Sequence, residues 1–101
     1  MTIATFLKVD EKYRVIVDGH ANYNPGNDPV CAACSVLIYT LDNILTVKQI
    51  AHTSYTKHGH MTITAGPEAA PYIEMIYIGY MGVAENYPNN VKVRGDWNDM
   101  A

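Results

Sequence analysis

Apolar and polar positions divide this chain into short segments of changing period. Residues 3–8 (Ile-Ala-Thr-Phe-Leu-Lys) and 13–17 (Tyr-Arg-Val-Ile-Val) are rich in β-branched and aromatic side chains and predict two strands. The polar Asp10-Glu11-Lys12 between them predicts a hairpin turn. From Asp18 to Asp28 the periodicity stops, and two glycines, one proline, three asparagines and two aspartates predict a mobile loop. Val30, Cys34, Leu37, Leu41, Ile44 and Leu45 then recur at spacings of three and four, the stripe of an amphipathic helix. Asp28 fits its N-cap and Pro29 its first position, where the missing N–H costs nothing. The pattern fades between Val47 and His52.

In the second half, residues 54–57 and 60–65 predict another hairpin around His58-Gly59. There Met61, Ile63 and Ala65 alternate with Thr62 and Thr64. Gly66-Pro67-Glu68 opens a second helix with Ile73, Ile76, Tyr77, Tyr80, Ala84 and Tyr87 on one stripe. Gly79 and Gly82 each weaken it by about 1 kcal/mol relative to alanine. Pro88-Asn89-Asn90 ends it, Val91–Arg94 is a last short strand, and residues 95–101 form a tail containing Trp97. The order ββα-β(β)-αβ predicts a single α+β domain over residues 1–101: two layers, a mixed β-sheet with two helices on one face.

Composition narrows the function classes. Hydrophobic residues make up 49% and charged residues 17% of the chain, the balance of a globular protein. The net charge of -3 and the singly scattered lysines and arginines give no footprint for nucleic acid and no polybasic membrane patch. No unbroken apolar run approaches the roughly 20 residues of a membrane span, and the first residues lack the pattern of a signal peptide. A cytoplasmic protein is expected. Two cysteines three apart cannot staple a small domain, so both thiols are expected to be reduced.

Candidate chemistry concentrates between Gly19 and Ser35. With Asp28 as cap, Cys31 is the third helical residue, where the helix dipole favours thiolate over thiol. His20 lies one loop away and supplies a general base or ion-pair partner. First-turn N–H groups are candidate donors to an oxyanion. Cys31 and Ser35, four apart, share a face, whereas Cys34 falls on the apolar stripe and points inward. Asp28 caps the helix, orients His20, or does both.

Other readings compete. Cys31-Ala32-Ala33-Cys34 is a Cys-x-x-Cys at a helix start, as in thiol–disulfide oxidoreductases, provided the second sulfur reaches the first. The two cysteines with His20, His52, His58 and His60 offer ligands for zinc, but without a second tight pair at a standard spacing; a solvated turn accounts for His58 and His60 more simply. No metal or other cofactor is expected. A catalytically silent binding module in a ribosome or phage assembly is a third alternative. The tyrosines of the second helix predict core and dimer packing.

The segment Gly19-His20-Ala21, Gly26, Asp28, Val30-Cys31-Ala32-Ala33, Ser35 and Leu37 resembles the motif of the ribosomal-processing cysteine proteases, the Prp family. The similarity in length and element order extends over essentially the whole chain. The resemblance implies a His–Cys dyad at His20 and Cys31, and Gly19, Gly26, Asp28 and Ser35 as supporting or site-lining residues. It implies a flexible loop over residues 21–27 and a homodimer. It also implies removal of the N-terminal extension of a large-subunit ribosomal protein, or cleavage of a phage protein in a phage-encoded relative. Pro29 and Cys34 depart from the family pattern, which leaves the dyad intact and bears on the choice of substrate.

Overall fold

In a computed structural model, which describes residues 1–100, β1 (Thr2–Val9) and β2 (Lys12–Asp18) form an antiparallel hairpin. Its turn passes through left-handed backbone at Asp10 (φ 51°) and Glu11 (φ 66°), the geometry that matches the twist of paired strands. Helix α1 (Pro29–Val47) follows, then a second hairpin of β3 (His52–Lys57) and β4 (His60–Ala65). A short 3₁₀ turn, Pro67–Ala69, leads into α2 (Ala70–Asn86), and β5 (Val91–Arg94) completes the sheet.

The strand order is β3-β4-β2-β1-β5. All neighbours are antiparallel except β1 and β5. It follows that β2 and β3 run the same way, as do β4 and β5, so α1 and α2 are both crossover helices between parallel strands. Their apolar stripes cover one face of the sheet. Ala4, Phe6, Val15, Val17, Met61 and Ile63 point into this layer at every second position. Val30, Cys34, Ile38, Leu41 and Leu45 of α1 and Ile73, Ile76 and Tyr80 of α2 meet them. This is the α+β, two-layer, mixed-sheet architecture expected from the element order.

The packing corrects several details. Ile38 is buried, while Leu37 and Ile44 are only half-buried. Leu37 instead lies along the seam between the helices, where a Cβ on Gly79 would come within 2.7 Å of Leu37 Cδ2. Gly79 thus permits close approach of α1 and α2 at the cost of its weak helix propensity. The tyrosines do not form a shared outer face. Tyr80 is buried, with its hydroxyl donating to the Cys34 carbonyl and burial raising its phenol above the ordinary range. Tyr77 packs edge-on to Phe6 at 5.2 Å, and Tyr87 edge-on to Tyr23 at 5.1 Å. The exposed apolar side chains of α2 are Met75, Ile78 and Met81.

The expected tail is a helical turn, α3 (Trp97–Met100), with both named residues buried. Trp97 stacks on Tyr13 at 5.4 Å. Gly95, at φ 98°, allows the chain to turn back: a Cβ there would lie 2.2 Å from the Phe6 carbonyl oxygen. The Asp96 carboxylate then accepts from Asn98 N–H at 2.9 Å. Ala101 lies outside the described residues. By length and composition, α1 is apolar enough to cross a membrane, although Asp42 and Asn43 interrupt its apolar run; here its inner face covers the sheet.

Candidate active site

Three chain ends meet at one end of the sheet: the exit of β2, the β3–β4 turn, and the start of α1. Gly19 begins the loop after β2. Its φ of 88° and the 2.3 Å that would separate a Cβ from the Met1 carbonyl oxygen both require glycine. Its N–H donates to the Gly59 carbonyl at 2.8 Å, joining the loop to the β3–β4 turn. The next residue, His20, is thereby placed against that turn. Its Nε2 lies 3.1 Å from where a Gly59 Cβ would be, and its ring centroid is 5.2 Å from that of His58. Ala21 is buried, and its carbonyl accepts from Asn90 Nδ2 at 3.0 Å. The imidazole is exposed, but the backbone on either side of it is held.

Across the loop, Cys31 is half-buried in the first turn of α1. Its Sγ lies 4.0 Å from His20 Nδ1, the outer limit of a hydrogen bond involving sulfur. For Nδ1 to accept the thiol proton, the neutral imidazole carries its hydrogen on Nε2, the nitrogen turned toward Gly59. A hollow of about 130 Å³ opens beside the pair, lined among others by Ser35, Tyr39, Thr56, Lys57 and Met61. Gly26 sits in the intervening loop at φ 93° with open space around it, so its place is set by backbone conformation rather than by crowding.

Asp28 uses all its bonding capacity on backbone. One carboxylate oxygen accepts from Val30 N–H (2.9 Å) and Cys31 N–H (3.0 Å), and the other from Tyr23 N–H (2.8 Å) and Asn24 N–H (3.2 Å). It caps the helix and ties down the loop, and none of these bonds reaches His20. Desolvation pushes its acidity the other way, but the four N–H donors prevail and hold the carboxyl below its usual range. This capping overturns the expectation that first-turn N–H groups stand free for an oxyanion. Pro29 has none, Val30 and Cys31 are bonded to the carboxylate, and Ala32 N–H donates to the Asp28 carbonyl at 3.0 Å.

Asp28→Ala therefore loosens helix start and loop together. A fall in melting temperature of roughly 5 °C is expected at neutral pH by calorimetry. Because the folded carboxyl titrates below its unfolded value, its contribution is fully present above the ordinary carboxylate range and is lost as pH falls through the folded value. The gap between wild type and variant should narrow in acid.

The other thiol and histidines lie apart from this pair. Cys34 is buried, and burial first, then the neighbouring Cys31 and Asp28, raises its thiol to about 11. That disfavours the thiolate a disulfide cycle uses. His52 bridges the Ile50 carbonyl and Asp42, and His60 lies between Asp18 and the Thr62 hydroxyl. Among the described residues, no group of three or more histidines, cysteines or carboxylates converges as a metal would require. Sequence reasoning assigned His58 to a solvated turn and Asn90 to a helix end, and placed neither beside His20. One is separated from His20 by 38 positions and the other by 70, and no local pattern joins them.

Comparisons with known proteins bear on the family and the fold. The family model described as cysteine protease Prp matches residues 1–92. No curated protein sequence matches the chain. Among solved structures, an essential ribosomal processing protease Prp from S. aureus, in complex with a covalently linked product peptide, superposes with a TM-score of 0.83. It is 24% identical, with 93% of this chain and 98% of that one covered. The same protease with a substrate peptide gives a TM-score of 0.79 at 23% identity, with the same coverage. A Streptococcus mutans protein, SMU.848, gives 0.70 at 26% identity, with 93% and 92% covered.

Proposed function

Because the chain belongs to the cysteine protease Prp family, we propose that Cys31 and His20 are its catalytic dyad and that it removes the N-terminal extension of a large-subunit ribosomal protein. The observation that carries the dyad is the contact of Cys31 Sγ with His20 Nδ1 beside an open hollow. The substrate reading is supported by the likeness to the S. aureus protein described as a ribosomal processing protease.

His20 Nδ1 takes the thiol proton as sulfur attacks the scissile carbonyl carbon. The carbonyl π electrons move to oxygen, and a tetrahedral adduct forms. Its collapse expels the amine, which receives the proton back from His20, and leaves a thioester on Cys31. Water, deprotonated by the same imidazole, then attacks the thioester and releases the new C-terminal acid and the thiol. Since Asp28 occupies the Cys31 N–H, the Ser35 hydroxyl, one turn further on and lining the same hollow, is the side-chain donor we assign to the oxyanion. The 4.0 Å separation shortens when the loop over residues 21–27 settles on the peptide. We place this reaction in the cytoplasm, where ribosomal proteins are made. We also propose a homodimer, for which the exposed Met75, Ile78 and Met81 of α2 offer an apolar face.

The test is to incubate the protein with the extended ribosomal protein of the same genome and follow the substrate by mass spectrometry. A single shortened product with a new N-terminus is expected. An intact substrate at enzyme-equivalent concentration overturns the assignment.

A further inference from the structure

We infer that the substrate docks by adding a strand to the open edge of β3, starting from the hollow beside Cys31. The inference rests on the dyad reading above, since that reading fixes which end of the strand holds the reacting bond. β3 lies at the edge of the sheet. The loop His58-Gly59 pairs Lys57 with His60, so these two residues exchange both backbone bonds, and with period two so do Tyr55–Thr62 and Thr53–Thr64. The N–H and C=O groups of Ser54 and Thr56 therefore point away from β4, to the open side.

That edge is unguarded. Its pairing with β4 runs in unbroken register, so it has no bulge, and it contains no proline and, beside His52, only Lys57 as a basic residue. The opposite edge, β5, is only four residues long and carries Lys92 and Arg94. Exposed edges are normally blunted by bulges, prolines, several charges or a covering element, and of these β3 has only the lysine at its end. Here the unblunted edge borders the candidate site: Thr56 and Lys57 line the same hollow as Cys31, Ser35 and Tyr39.

The stretch of edge open to a peptide is bounded. α1 runs away from the site while β3 runs toward it, and at the far end His52 Nε2 meets Asp42 Oδ1 at 3.0 Å, bridging strand to helix. From Thr56 back to His52, a strand advances about 13 Å, room for about four residues of extended peptide. The occupant we infer is the segment of the substrate on one side of the cut, held mainly through its backbone, the mode of recognition by strand addition.

The test is Ser54→Pro. It deletes an N–H that no strand of this fold uses, and edge strands tolerate proline at such positions. With a peptide that wild type cleaves, kcat/KM should fall about tenfold, the worth of one hydrogen bond and its fit. Ser54→Ala should stay near wild type, and alkylation of Cys31 by iodoacetamide, which needs no docking, should be unchanged. As a measurement independent of variant folding, single N-methylation of the peptide should impair cleavage at alternate positions within about four residues of the cut. Wild-type cleavage by Ser54→Pro, or indifference to N-methylation, overturns strand addition alone. So does a shift of Ser54→Pro from dimer to monomer in sedimentation with cleavage intact, which would make the edge a seam between copies. A wild type that cleaves no peptide overturns the dyad reading as well.

Discussion

Cys31→Ala should abolish cleavage of the extended ribosomal protein, with a loss of at least about 10⁴-fold in single-turnover rate. Removal of a covalent nucleophile leaves only binding and oxyanion contacts, which account for a small share of the acceleration in enzymes of this type. The fold should tolerate the change. Cys31 is half-buried, its hydrogen-bonded N–H is retained, and alanine is the strongest helix former. A melting temperature within a few degrees of wild type is expected, together with tight binding of uncut substrate. Mass spectrometry after prolonged incubation reads the loss directly. Cleavage persisting in this variant, but lost on changing Cys34, would reverse the roles of the two sulfurs. The burial of Cys34 and its raised thiol argue against that outcome.

His20→Ala should lower kcat by about 10²- to 10⁴-fold while KM changes little, because a general acid–base acts on bond making rather than on docking. The variant retains the Gly19–Gly59 bond and the Asn90 bond to Ala21, so the loop ends stay in place. Packing alone would therefore predict a small effect. Alkylation of Cys31 by iodoacetamide distinguishes the two roles. If the imidazole accepts the thiol proton, the variant reacts more slowly at neutral pH; if it merely fills space beside His58, the rate stays at the wild-type value.

Much of this architecture was legible along the chain. Both hairpins follow from β-branched residues flanking polar or glycine-containing turns, and α1 begins where Asp28 and Pro29 place it. These are local signals, each acting within a few residues. What escaped depends on residues distant in sequence. Leu37 and Ile38 both fit the three-and-four spacing, so the period does not choose between them; Ile38 enters the core, and Leu37 lies at the seam with α2 beside Gly79. Trp97 finds Tyr13 only once the sheet exists, so residues 97–100 read as a tail. Within the candidate site, the pairing of His20 with Cys31 was suggested by a motif. The occupation of the Cys31 N–H was not, since an N-cap pattern specifies that a carboxylate will bond the first turn but not how many of its donors remain. The edge position of β3 likewise depends on the order in which five strands assemble.

The carboxylate of Asp28 also bears on inhibitor chemistry. Aldehyde and nitrile warheads gain much of their affinity from seating a negative oxygen or nitrogen on the nucleophile's own amide. Here that amide is already satisfied by a side chain carrying the same sign of charge. Electrophiles that require only an accessible sulfur, such as chloromethyl ketones, forfeit nothing by its absence. They should make the better starting scaffolds against this enzyme.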